Sequence, residues 1–369
     1  MKILFDHQIY SNQKFGGISR YFYELSRGIK SLGHEIENTI KYSENVFTDD
    51  KDIFKYSKKL FYNYKGKGSL QSFLNKKYSI QRIRENDFDV FHPTYYDTYF
   101  VEKKIFKKPF VLTFHDLIHE KFGHEYPDYL TGVDNLIKAN KLLLNKASKV
   151  IAISESTKND IIDYYKIDPA KIEVVYLASS LKDKSVPDKL LSNLPYILFV
   201  GNRGAYKNFS IFIESVSELL KLDKNIRVIC AGGGSFDAKE IEYFKKLGIE
   251  NQISYRPITS DEGLASLYSN ALMFVFPSRY EGFGIPTLEA FNCGCAVVLS
   301  NISSLPEVGG DAALYIDPQD PHSIHKAVKL FLYDSELRNK YKNLALERSK
   351  KFNWATTVEK TVDIYQSLV

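Results

Sequence analysis

Glu281 and Glu289 lie eight residues apart, one in a glycine-rich loop and the other on the helix that should follow it. Upstream, Leu272–Phe276 is an apolar run of buried-strand length, and Pro277 ends it. Pro286 fits the first turn of a helix, where its missing N–H would have no partner and its φ is already suitable. Strand, glycine loop and helix start together aim backbone N–H groups at one point, which favours an anion such as phosphate. The two glutamates would flank that anion and accept hydrogen bonds from hydroxyls on either side. An anion between two hydroxyl-bearing groups outlines a nucleotide-diphosphate sugar.

Other polar residues fall at the ends of predicted strands, where open parallel sheets place their ligands. Gly201-Asn202-Arg203-Gly204-Ala205-Tyr206-Lys207-Asn208 follows the apolar run Tyr196–Val200. Arg203 and Lys207 are close enough in sequence to clamp a diphosphate and stabilise it as a leaving group. Alone, such a basic pair reads as a solvated surface feature. Gly232-Gly233-Gly234 is likewise only a permissive turn, because no complete G-x-G-x-x-G fingerprint occurs. His115 and Asp116 end the apolar run beginning at Phe110. The histidine reads either as a ligand-facing group or as a hydrogen-bonded core residue. Asp116 reads either as a carboxylate orienting the imidazole or as a cap on the next segment.

The elements that must position these residues alternate between short β-rich runs and amphipathic helical runs, which argues for parallel sheets with crossover helices. Ile3–Phe5 leads to Gly16-Gly17. Ile18, Tyr21, Phe22, Leu25, Ile29 and Leu32 then recur at helical spacing until Gly33. Strands are expected at Phe88–His92, Phe110–His115, Lys149–Ile153 and Ile172–Tyr176. The polar stretch Ala178–Pro195, with Pro187, reads as a linker. The rhythm restarts with strands at Tyr196–Val200, Arg227–Ala231, Leu272–Phe276 and Ala296–Leu299. Thr259 and Glu262 have capping-box spacing at the head of a helix. Beyond Pro321 the chain reads as helices, with the single tryptophan, Trp354, near the start of the last.

The chain has 369 residues, 44% of them apolar, enough for two ordinary domains. No run of 18 apolar residues could span a bilayer, and the N-terminus reads as a first strand with no secretory signal ahead of it. The three cysteines (Cys230, Cys293 and Cys295) fit neither a disulfide framework, a zinc site nor a redox pair, so a reducing cytoplasm is expected. Net charge is +5, but ten Lys and Arg crowd Lys51–Arg84 against one acid, Asp52, which leaves the rest net acidic. Phe54, Tyr56, Phe61, Tyr62, Tyr64, Phe73 and Tyr78 interleave with them. This pattern fits an anionic membrane surface or a solvated helical face whose stems cover core. Nucleic acid is disfavoured because no recognised binding module accompanies it.

Along essentially its whole length the sequence resembles the family-4 retaining glycosyltransferases of the GT-B fold. The resemblance is carried by Phe15-Gly16-Gly17-Ile18-Ser19-Arg20-Tyr21, Thr113-Phe114-His115-Asp116-Leu117, Ala152-Ile153-Ser154-Glu155-Ser156-Thr157, Gly201…Arg203…Lys207-Asn208 and Glu281-Gly282-Phe283-Gly284…Glu289, in the family's order. It implies two Rossmann-like doubly wound domains facing a cleft: residues 1–180 for the acceptor, 181–350 for the donor, and a C-terminal helix, 351–369, crossing back to the first. Arg203 and Lys207 would grip the donor diphosphate, Gly201, Gly232 and Thr287 would belong to the donor site, and Glu289 would bind the ribose. Glu281, with Gly282 and the N–H groups of Phe283, Gly284 and Ile285, would hold the donor sugar. Ile258, next to Pro257, would lie by the base, Gly16 and Gly17 would approach the donor, and His115 would sit near the sugar. Trp354 would be a packing anchor. The resemblance also implies retention of configuration, with the leaving phosphate as base, and no metal or other cofactor.

The expected activity moves a hexose from a nucleotide-diphosphate sugar to a glycan or polyprenyl-diphosphate-linked glycan, in bacterial O-antigen, capsule or lipopolysaccharide synthesis. The Gly-Gly-Ile-Ser-Arg-Tyr and Gly-Ile-Pro-Thr-Leu-Glu forms resemble members that use GDP-mannose. The alternatives are a UDP-hexose-dependent transferase, a sugar-nucleotide epimerase, and a non-catalytic glycan- or membrane-binding protein. The expected location is cytoplasmic, peripheral on the inner membrane through Lys51–Arg84.

Overall fold

Short runs rich in Val, Ile and Phe form buried parallel strands, each returning through a helix that covers one face of its sheet. In the computed structural model the described residues are 1–59, 66–102, 105, 107–181 and 195–369. Phe61, Tyr62, Tyr64 and Lys65 of the basic segment, and Pro187 of the expected linker, lie outside them. The chain divides into two compact units. One comprises Met1–Gly123, Leu130–Leu177 and Trp354–Val369, the other His124–Tyr129 and Ala178–Asn353.

In the first unit, β1 (Lys2–Phe5), β2 (Glu35–Asn38) and β3 (Val90–His92) form a parallel sheet in the order β2-β1-β3. The strands β4 (Val111–Phe114), β5 (Lys149–Ala152) and β6 (Ile172–Val174) form a second, β4-β5-β6. A parallel bridge from Phe91 to Phe110 links β3 to the start of β4. The helix Trp354–Gln366 belongs to this unit and packs along the helix Gly17–Ser31. Trp354 lies against Tyr21, ring centroids 6.3 Å apart, and Thr357 donates to the Tyr176 carbonyl.

The second unit holds one six-stranded parallel sheet in the order β12-β11-β10-β7-β8-β9, from β7 (Tyr196–Val200), β8 (Arg227–Ala231), β9 (Ile253–Arg256), β10 (Met273–Phe276), β11 (Val297–Ser300) and β12 (Ala313–Ile316). Its core gathers Ile197, Phe199, Phe212, Val228, Val275 and Val298. Winding reverses between β7 and β10, so the loops after these neighbours diverge and leave a crevice at their C-terminal ends.

Three strands were absent from the expected set: β2, β9 and β12. All are edge strands, and their burial is partial. The expected capping box at Thr259 and Glu262 is not made. Ser260 is the N-cap, accepting from Gly263 N–H at 3.1 Å, which leaves Glu262 one position short of closing the box. A reciprocal box forms instead between Asp237 and Glu240, at the head of the helix Ala238–Leu247. The cysteines are free and buried. Among the described residues no helix is long and apolar enough to cross a membrane.

Candidate active site

At the crevice of the second unit, β10 delivers the loop Pro277–Gly284 and β7 delivers Gly201–Asn208. Asn208 ties the two together. Its backbone takes the left-handed conformation (φ 63°), and its buried side chain donates to the carbonyls of Pro277 and Pro318 at 3.1 and 2.7 Å. Gly284, at φ 90°, turns the chain into the helix Ile285–Asn292, and Pro286 lies in that helix's first turn. A side chain at Gly284 would also strike Leu305, whose Cδ2 lies 2.7 Å from the Cβ position. Among the described residues no side chain caps the start of this helix, and its Thr287 N–H bonds back to the Gly284 carbonyl at 2.9 Å.

Lys207 donates to Glu281 Oε1 at 2.6 Å, and its ammonium lies over the rings of Tyr206 and Phe276 at 5.2 and 5.1 Å. Glu281 is buried, and its loop is pinned at both backbone groups. Its N–H donates to Ser303 Oγ at 3.1 Å, and its carbonyl accepts from Ser304 Oγ at 2.8 Å. Arg203 meets Glu240 through two bonds of 2.6 and 3.2 Å and donates to the carbonyls of Gly232 and Ser235. Its guanidinium also lies over Phe236, 4.9 Å from the ring centroid.

Gly201, Gly232 and Ile258 come together: a Cβ on Gly232 would lie 3.4 Å from Ile258 Cδ1 and 3.5 Å from Gly201 N. Gly233 is packed more tightly, its Cβ position 2.7 Å from the Gly201 carbonyl oxygen. Glu289 Oε2 accepts from the buried Tyr268 hydroxyl at 3.1 Å. Near Glu281, the buried hydroxyls of Ser278 and Thr287 have no hydrogen-bond partner. Uncompensated burial of a hydroxyl is costly, so two such groups beside one loop mark a place where a polar ligand would be stabilising.

The structure thus gathers Gly201, Arg203, Lys207, Gly232, Ile258, Glu281, Gly282, Phe283, Gly284, Ile285, Thr287 and Glu289 around one crevice in the second unit. It adds residues that the sequence did not single out: Glu240, Tyr268, Ser278, Ser303 and Ser304. Arg279 is a further addition. It bonds Glu125 at 2.5 and 3.3 Å and the Tyr126 hydroxyl at 2.6 Å, which anchors His124–Tyr129 to this unit. A cavity of about 420 Å³ lies beside Arg203, lined also by Tyr126, Asn208 and Arg279.

Gly16, Gly17 and His115 lie in the first unit. Gly16 has an extended backbone (φ 173°), and an added Cβ would meet only the movable end of Gln13. No backbone strain therefore demands glycine there. His115 is buried against Tyr21 and Phe22, and its backbone N–H donates to the Tyr96 hydroxyl at 3.0 Å. Its ring Nε2 is buried without a hydrogen-bond partner, which departs from the satisfied core-histidine reading. Burial holds its pKa down to about 4, so near neutrality the ring is an uncharged imidazole. His92 is the satisfied core histidine, bonded to the Tyr365 and Thr113 hydroxyls. Burial, with His115 nearby, pushes its pKa to about 3. Asp116 accepts from Ile118 N–H at 3.0 Å, a turn bond at the entry to the helix Ile118–Phe122, whose N-cap is Leu117.

Two family models match nearly end to end: "Glycosyltransferase Family 4" over residues 15–178 and "Glycosyl transferases group 1" over residues 182–348. The chain is 30% identical over 272 residues to O-antigen chain mannosyltransferase B of Escherichia coli, covering 70% of each protein. It is 31% identical over 254 residues to the Escherichia coli serotype-specific mannosyltransferase WbdA, a match covering 62% of this chain but only 30% of that larger protein. The solved structure of Anabaena Alr3699/HepE in complex with UDP-glucose superposes with a TM-score of 0.76 at 17% identity, covering 100% of both chains. The protein is a glycosyltransferase of the GT-B fold. It belongs to glycosyltransferase family 4, with the group 1 glycosyltransferase domain forming its second half.

Proposed function

We propose that the enzyme transfers mannose from GDP-mannose to a glycan or polyprenyl-diphosphate-linked glycan in bacterial surface-polysaccharide synthesis, with retention of configuration. The observation that carries the donor site is the meeting of Arg203, Lys207 and Glu281 with the start of the helix Ile285–Asn292 at one sheet crevice. The mannosyl and O-antigen assignments rest on the relatives' activities. As the glycosidic bond to the diphosphate breaks, negative charge grows on the leaving oxygen. Arg203, Lys207 and the helix N–H groups are arranged to stabilise it without a divalent metal. Glu281 accepts from donor-sugar hydroxyls, Glu289 from the ribose, and Ile258 lies by the base. The departing phosphate takes the acceptor proton.

A cytoplasmic enzyme working at an anionic membrane surface through the basic segment completes the proposal. UDP-glucose bound to the Anabaena neighbour supports a second reading, in which the donor is a UDP-hexose. Thermal shift with GDP-, UDP-, ADP- and TDP-sugars separates the two, because stabilisation grows with ligand concentration over Kd. GDP-mannose is expected to give the largest shift, unchanged by EDTA. A shift confined to UDP-sugars would reassign the donor, and no shift with any of the four would remove the donor site. Glu281→Ala is expected to abolish transfer while most nucleotide affinity survives; full activity would displace Glu281 from the sugar.

A further inference from the structure

The helix Lys67–Glu85 is amphipathic in an inverted sense. Positions 71, 75, 79 and 83 form its buried stripe, and three of the four are polar: Gln71, Asn75 and Ser79. Asn75 and Ser79 are well satisfied. Asn75 accepts from the N–H groups of Lys41 and Tyr42 at 3.0 Å each and donates to the Tyr42 carbonyl and Ser11 Oγ. Ser79 Oγ meets His7 Nδ1 at 2.8 Å and Thr39 Oγ1 at 2.6 Å.

Apolar residues occupy the outward face instead. Leu70 is 42% exposed and Phe73 57% exposed, and the half-buried Leu74 and Ile80 continue the ridge at helical spacing. A soluble helix places such residues against its own core, so among the described residues the ridge is an exposed apolar surface.

Cations frame the ridge. Lys77 lies over the Phe73 ring at 5.5 Å, Lys41 over the Tyr78 ring at 4.5 Å, and Arg84 lies along the same face. With Leu74 and Ile80 these cations line a shallow depression of about 790 Å³. Four other cations of the basic segment are neutralised: Lys59 pairs with Asp49, Lys67 with Glu44, Lys76 with Asp97, and Arg82 with Glu37, whereas Lys51 donates to the Thr48 and Ser57 carbonyls and Lys55 lies over the Tyr56 ring. Among the described residues, no carboxylate pairs with Lys41, Lys77 or Arg84. Three cations without a carboxylate partner, Lys41, Lys77 and Arg84, therefore flank the exposed apolar ridge. A second copy of this face would bring like charges together, and a polyanion without acyl chains would leave Leu70 and Phe73 in water. An anionic bilayer answers both features, with phosphates for the cations and an acyl boundary for the ridge.

We propose that the outward face of the helix Lys67–Glu85 is a membrane-docking surface. The helix lies parallel to an anionic leaflet, Leu70, Phe73 and Leu74 enter the acyl boundary, and Lys41, Lys77 and Arg84 engage lipid phosphates. This rests on the membrane-surface reading above and names the face and the insertion that serve it.

The test is co-sedimentation of the full chain with phosphatidylcholine vesicles, with or without about one-third phosphatidylglycerol. Trp354 fluorescence melting is used to verify that each variant's first unit is folded. Wild type is expected to bind only the anionic vesicles. Leu70→Ser with Phe73→Ser should weaken partitioning at least ten-fold at unchanged charge. Lys77→Gln with Arg84→Gln should weaken it by roughly 30-fold at low salt, from about 1 kcal/mol per basic residue. Wild-type failure to bind anionic vesicles would overturn the membrane reading itself. Loss with the cation variant but full binding by the ridge variant would leave that reading and overturn insertion. Self-association abolished by the ridge variant, with no vesicle binding, would make the occupant a second copy and overturn the proposal.

Discussion

Each of the two cations assigned to the diphosphate is held by a carboxylate in this structure, and the two holds differ in kind. Lys207 has a point charge and rotatable donors, so it can keep Glu281 and still face a phosphate. Arg203 is more constrained. Of the five N–H groups in a guanidinium, its contacts with Glu240, Gly232 and Ser235 use four. Glu240 thus competes with an incoming diphosphate. Glu240→Gln keeps an acceptor for the capping bond from Asp237 but removes the competing charge. It is expected to tighten nucleoside-diphosphate binding about five-fold, roughly 1 kcal/mol, measured by calorimetric titration. Weaker binding would mean that Glu240 positions Arg203 instead of restraining it. The sequence displayed Glu281, Glu289, Arg203 and Lys207 because each sits at a readable offset from a strand end or a proline. Glu240, Tyr268, Ser303 and Ser304 were hidden because they reach the crevice from other loops. Only Glu240 carried a local signal, its three-residue spacing from Asp237.

Elements were legible in proportion to their burial. The central strands β1, β5, β7, β8, β10 and β11 are apolar runs lying inside sheets, and their sequences say so. The edges β2, β9 and β12 carry Glu35, Glu37, Arg256 and Tyr315, because half of an edge strand meets solvent and its pattern is diluted. Helix contacts were less legible still, since a glycine shows no preference for what it touches. Gly28, within the helix Gly17–Ser31, is an example. A Cβ there would lie 2.3 and 3.0 Å from the two Cγ atoms of Val358 on the C-terminal helix. Alanine in place of a helical glycine ordinarily stabilises by about 0.5–1 kcal/mol. Here the overlap reverses the sign, and Gly28→Ala is expected to cost about 1–3 kcal/mol, read from urea unfolding. Adding Val358→Ala should recover part of that loss, a non-additivity that only direct contact produces. Independent, additive losses would place the two helices farther apart.

At the scale of the whole molecule, titratable strain is distributed unevenly between the two units. All three fully buried histidines, His7, His92 and His115, belong to the first unit. Burial lowers the pKa of each, to about 3 for His92 and about 4 for His115. An unfolded chain protonates its histidines near pH 6.5. Above that pH neither state binds these protons, and their contribution to stability is constant. Below it the unfolded state takes up protons that the native first unit refuses. Stability is therefore lost progressively as pH falls from about 6.5 towards the folded values. For His92 and His115 together the loss by pH 5 is on the order of 4 kcal/mol. The single tryptophan, Trp354, lies in the same unit against Tyr21, so its fluorescence reports that unit selectively. Its melting temperature should fall by on the order of 10 °C between pH 7.5 and 5. A variant carrying both His92→Gln and His115→Gln will be less stable at pH 7.5, but its melting temperature should depend less steeply on pH. The carboxylates common to both proteins cancel in that comparison. Equal slopes for wild type and variant would show that neither imidazole is held neutral by the fold.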